Sequence, residues 1–101
     1  MPSATLKLLA DVAAAGPEVL RRGLLEAGVG RHSVELDGSA VAKIDFGSWQ
    51  ILCAAFRDAS LAGTPLSWSG GSLYLRTTAA RLGIAAVLGI DRLDLSGELT
   101  T

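Results

Sequence analysis

The chain of 101 residues has one cysteine, one histidine and three prolines, and its aromatic residues are two Trp, two Phe and one Tyr. The lone Cys53 excludes an intramolecular disulfide. With only His32 beside it, the chain also lacks the Cys and His clusters of a zinc site. That cysteine usage fits a reducing cytoplasm best. Neither sign of charge is in surplus: nine Lys and Arg stand against ten Asp and Glu, a formal net charge of −1. With a pI of about 5.7 there is no basic surface to neutralise phosphates, so nucleic acid is not an expected partner. Long apolar runs are missing as well, and those present fall far short of the roughly 20 residues that span a bilayer. The first residues, Met1 to Ala15, carry no basic region ahead of an apolar core, as a secretory signal would. The expectation is a cytoplasmic protein with no direct membrane insertion.

What remains is a composition that folds. Half of the residues are hydrophobic, 19% are charged and the mean hydropathy is +0.41, well away from the polar, highly charged composition of disordered chains. The length suits one domain, 1–101, with a core over about 4–90 and 91–101 as a tail or edge strand. Enzyme signatures are scarce: no P-loop, no G-x-S-x-G, no H-E-x-x-H and no Cys pair. His32 sits in the connection Gly28-Val29-Gly30-Arg31-His32, so a Ser/His/Asp triad would hang on a loop residue, and the scattered carboxylates suggest no acid and base pair. We therefore expect no catalytic residues, no metal and no cofactor.

The apolar period switches repeatedly between that of strands and that of helices, the sign of an α/β domain. Thr5 to Leu9 reads as a strand and Asp11 to Gly16 as a loop. Pro17 then opens a helix with an apolar stripe of Val19, Leu20, Gly23, Leu24 and Ala27 that stops at Gly28. His32 to Leu36 alternates as a strand, Asp37-Gly38-Ser39 is turn chemistry, and Val41 to Ile44 is a short extended stub. Trp49, Leu52, Cys53 and Phe56 recur at helical spacing up to Ala62-Gly63. Thr64 to Trp68 reads as a strand, with Pro65 at its beginning, and Ser69-Gly70-Gly71-Ser72 as a tight loop. Ser72 is placed to cap a helix over Leu73 to Leu82 that closes at Gly83. A short helix over Ala85 to Leu88 and an edge strand over Asp91 to Leu95 complete the reading.

Two segments deliver small or polar residues to a helix N-terminus directly after a strand, where unpaired N–H groups and the helix dipole favour an anion or a phosphorylated hydroxyl. The first is Ile44-Asp45-Phe46-Gly47-Ser48-Trp49-Gln50, the second Ser69-Gly70-Gly71-Ser72. A purely structural reading stands beside each: Ser48 as a helix cap, Asp45 holding the loop, the glycines permitting a turn.

The run Ile44-Asp45-Phe46-Gly47-Ser48-Trp49-Gln50-Ile51-Leu52, then Gly63-Thr64-Pro65-Leu66, Ser72 and Leu75, ending at Arg81-Leu82-Gly83-Ile84, resembles a STAS domain. This is the domain of sulfate transporters and anti-sigma factor antagonists; the likeness runs from the first strand to Leu88, and the short start is similar to compact bacterial forms that stand alone. The resemblance implies a small mixed sheet of about four strands with helices on one face, no enzymatic activity, and a switchable binding partner. That partner is an anti-sigma factor, a kinase-like ATPase or a chemotaxis component. An alternative is the STAS subunit of a lipid-trafficking ABC transporter, bound to its ATPase. By the same resemblance, docking would use Asp45, Phe46, Gly47, Ser48 and Gln50. The chain departs from the family pattern where it matters: Phe46 and Gly47 stand where hydroxyls are usual, and Ser48 where glycine is. The usual phosphoacceptor is thus missing, which leaves Ser48 as a displaced acceptor or, the reading we favour, docking without phosphorylation. Phe46 is either an exposed anchor for the partner or a residue packed under the loop. Trp49 and Cys53 lie on the helix stripe and are expected in the core, with Cys53 unreactive.

Overall fold

Val34 and Leu36 alternate with Ser33, Glu35 and Asp37, which sends the two apolar side chains to one face of a strand. In the computed structural model, which describes residues 3–90, that strand is the middle of a sheet. The strands β1 (Ser3–Lys7), β2 (Ser33–Gly38) and β3 (Leu66–Gly71) lie in the order β1-β2-β3. Both pairs are parallel, with Leu6 beside Leu36 and Leu36 beside Trp68. Of the expected α/β fold with a mixed sheet of about four strands, the described residues show three strands, all parallel, and no fourth or antiparallel strand among them. The parallel direction follows from the connections: helices intervene between successive strands, carrying the chain back to the end where it started, and no hairpin among the described residues reverses it. The edge strand expected over Asp91 to Leu95 lies outside the described residues.

The described residues form four helices: α1 (Val12–Ala15) and α2 (Pro17–Ala27) between β1 and β2, α3 (Phe46–Ala62) between β2 and β3, and α4 (Leu73–Arg81) after β3. The first was expected to be loop. It forms because the Asp11 carboxylate accepts from Ala14 N at 2.9 Å and closes one turn. The α2 helix has the predicted bounds, with Pro17 in its first turn and Gly28 at φ 102 receiving the chain at its end, where its N–H reaches the carbonyls of Leu24 and Leu25.

The helices cover one sheet face, with α2 and α3 packed on each other, α2 against β1 and α3 against β3. Leu8, Val34, Leu36 and Trp68 are buried on that side, while Thr5, Lys7, Glu35, Ser67 and Ser69 stand exposed on the other. Parallel sheets are usually covered on both faces; here the strands alternate in the manner of a one-sided sheet instead. Leu36, Leu52 and Leu75 are fully enclosed, and each such side chain stabilises the fold by about 1.5–3 kcal/mol.

Three boundaries differ from the sequence reading in ways that bear on the site. Asp37 and Gly38 belong to β2, and Ser69, Gly70 and Gly71 belong to β3, because the pairs Asp37 with Gly70 and Gly38 with Gly71 extend the ladder past a bulge at Leu36/Asp37. Leu36 thus does not end its strand, and the tight loop shrinks to Ser72. Helix α3 begins at Phe46, ahead of Ser48 and Trp49. Finally, Ala85 to Leu88 is a run of turns, with Leu88 N bonded to Ile84 O and Ile90 N to Ala85 O. Gly83 and Gly89, both at positive φ, bracket the segment. That segment is pinned by Trp68, whose indole N–H donates to Leu88 O at 2.9 Å and whose ring stacks on Phe56 with centroids 5.8 Å apart.

Candidate functional site

The start of α3 is built by a carboxylate and a hydroxyl three residues apart. Asp45 is the N-cap in extended conformation, and its side chain accepts from Ser48 N at 3.2 Å and from Ser48 Oγ at 2.5 Å. This satisfies donors that a helix N-terminus leaves open. The cap is Asp45, so Ser48 is not the capping residue; it lies inside the first turn, fully buried. The Ser48 hydroxyl bond, helped by backbone N–H groups and against the opposing effect of burial, holds the Asp45 carboxyl below the usual aspartate range.

The segment entering the cap is fixed from α4. The Tyr74 hydroxyl accepts from Ile44 N at 3.0 Å and donates to Ile44 O at 3.5 Å. Ser72 caps α4, as its place before Leu73 implied, by accepting from Leu75 N at 3.1 Å. The same hydroxyl donates to Val41 O at 2.5 Å. The two segments singled out in the sequence are therefore neighbours, joined through Val41 and Ile44. Their hydroxyls are bonded within the chain: Ser48 to Asp45, Ser72 to Val41 and, on the exposed sheet face, Ser69 to Leu36 O at 3.4 Å. Gly70 and Gly71 pair within the sheet.

Of the residues expected to meet a partner, the structure divides outward from inward. Phe46 is 74% exposed and so does not pack under the loop, and Gln50 is exposed beside it. Asp45 is half-buried in its cap. Gly47 lies against α2: an added Cβ there would come 3.3 Å from both Asp45 Oδ2 and Pro17 Cγ. Trp49 is in the core, and Cys53 is a half-buried free thiol whose pKa burial pushes up.

A groove of about 400 Å³ runs from Phe46 along α3, lined by Trp49, Gln50, Cys53, Arg57, Leu82 and Ile84. Sequence reasoning missed Arg57 and did not join Leu82 and Ile84 to this surface. Arg57 does lie eleven residues after Phe46, three helical turns along the same side, which is the signal that would have found it. His32 is elsewhere, before β2, with Nδ1 3.1 Å from Ser33 O, while Asp45 and Ser48 follow that strand. Among the described residues no three His, Cys, Asp or Glu side chains gather where they could hold a metal ion, and no helix is long and apolar enough to cross a membrane. In comparisons with known proteins, no family model matches the chain, and no curated protein or solved structure does.

Proposed function

We propose that this chain is a non-enzymatic STAS-type interaction module that docks a protein partner through the first turns of α3. The observation that carries the reading is Phe46: a large aromatic side chain left 74% exposed on a turn that Asp45, Ser48 and Tyr74 tie down by hydrogen bonds. Aromatic side chains in such positions dominate binding hot spots, and a mount tied down in this way keeps the entropy cost of docking low. The partner class is bacterial signalling: an anti-sigma factor, a kinase-like ATPase or a chemotaxis component. A second reading, the STAS subunit of a lipid-trafficking ABC transporter, uses the same surface with an ATP-binding cassette partner. Docking without phosphorylation is favoured over a switch at Ser48, because the Ser48 hydroxyl is buried and already bonded to Asp45.

The test is affinity capture from the native host with the tagged chain and its Phe46→Asp variant, combined with intact-mass measurement. An anti-sigma factor or kinase-like ATPase retained by the parent chain and lost by Phe46→Asp, on unphosphorylated protein, supports the first reading. A cassette ATPase lost in the same way supports the second. A partner held equally by both forms places the interface away from Phe46 and overturns the proposal.

A further inference from the structure

We propose that the outer edge of β1 is a self-association surface, on which a second copy of this chain adds its own β1 antiparallel, with Leu6 facing Leu6. This rests on a different part of the molecule from the proposed docking site. In the sheet order, β1 is an edge strand, and among the described residues no strand lies beyond it. Leu8 N donates to Asp37 O at 2.9 Å. Backbone groups alternate in direction along a strand, so those of Leu6 also face β2 and those of Thr5 and Lys7 point outward, with no ladder partner among the described residues. Native edges are blunted by proline, bulges or clustered charge. Ser3–Lys7 has no proline and one charge, Lys7, on the open face.

The register follows from what lies beside that edge. On the helix side is an apolar groove of about 220 Å³ lined by Leu6, Leu9, Val12, Val19, Leu20 and Gly23, with Leu9 and Val19 about half exposed. A two-fold axis through Leu6 makes Leu6 a close, non-hydrogen-bonded pair over this groove. It places Thr5 of each copy opposite Lys7 of the other, where the outward N–H and C=O groups exchange four hydrogen bonds. Lys7 then faces a hydroxyl and not another lysine. A two-fold through Thr5 would set Leu6 against Ala4 and lose that apolar pair. On α2, Arg22 and Glu26 are exposed, three and seven residues after the groove residue Val19 and so on the helix stripe that runs on from it. The same axis runs the two α2 helices in opposite directions, so the order of charges on one opposes that on the other and favours this occupant.

Sedimentation velocity of the full chain tests the proposal. The expected result is a rise from 10.4 kDa to twice that mass by a concentration of about 100 µM, the range for a small interface. Thr5→Pro removes an outward donor without touching the ladder to β2. It should weaken the dimer at least tenfold while the circular dichroism spectrum stays that of the parent. Independently, Leu6→Cys in a Cys53→Ser background should form an intermolecular disulfide. A chain that stays monomeric overturns the proposal. So does a dimer that Thr5→Pro leaves unweakened, or one in which Leu6→Cys fails to cross-link.

Discussion

Replacing Ser48 by aspartate imitates the charge that phosphorylation would place at the start of α3, and the structure allows its cost to be worked out. Ser48 is fully enclosed and its hydroxyl donates to Asp45 Oδ1 at 2.5 Å. Ser48→Ala removes that one hydrogen bond and leaves Asp45 accepting from the amide of residue 48, so the expected loss is about 0.5–1.5 kcal/mol. Ser48→Asp puts a carboxylate where there is no access to water, which costs several kcal/mol, and adds repulsion from the Asp45 carboxylate. The helix N-terminus offsets this by at most about 2 kcal/mol. The net expectation is a loss of about 4 kcal/mol, a large share of the 5–15 kcal/mol by which a domain of this size is stable. Urea unfolding followed by circular dichroism reads the difference between the two variants directly. If Ser48→Asp were no less stable than Ser48→Ala, the first turn of α3 would have to open readily, and a displaced phosphoacceptor would regain its standing.

Other consequences are as concrete. Leu52→Ala empties a fully enclosed position in α3 and should cost about 2–5 kcal/mol in the same assay. Gly28→Ala should destabilise by about 1–3 kcal/mol, since Gly28 is at φ 102 and the new methyl group would collide with the His32 ring; His32→Ala should recover part of that loss. Asp45 has a folded-state pKa below its ordinary 3.8, through its bond from the Ser48 hydroxyl. Its contribution is present above 3.8 and is lost as pH falls through the lower, folded value, so acid unfolding should be shallower in Asp45→Asn. Phe46→Asp, at an exposed position, should leave stability within about 0.5 kcal/mol of the parent while abolishing partner capture.

The sequence made some elements legible because their signals are local. Pro17 and Gly28 bracket α2, alternation at Val34 and Leu36 marks β2, and Ser72 announces α4. Other features depend on neighbours that local pattern does not name. Gly70 and Gly71 look like a turn, yet pairing with Asp37 and Gly38 draws them into β3. The parallel direction of all three strands is set by the helical crossovers, and four residues around three alanines gave α1 no periodic signature. At the site, the spacing of Asp45 and Ser48 carried the cap geometry, with the roles of the two residues exchanged relative to a serine cap. The groove beside Phe46 was legible only in part, since Leu82 and Ile84 reach it through the packing of the turn after α4.

The central claim is that the first turns of α3 carry the docking surface, and amide hydrogen exchange on the captured complex addresses it most directly. Binding is expected to slow exchange in α3 from Phe46 to Arg57 and around Leu82 to Ile84, with the open sheet face at Glu35 and Ser67 unchanged. Protection confined to that open face, with α3 exchanging as in the free chain, would contradict the account.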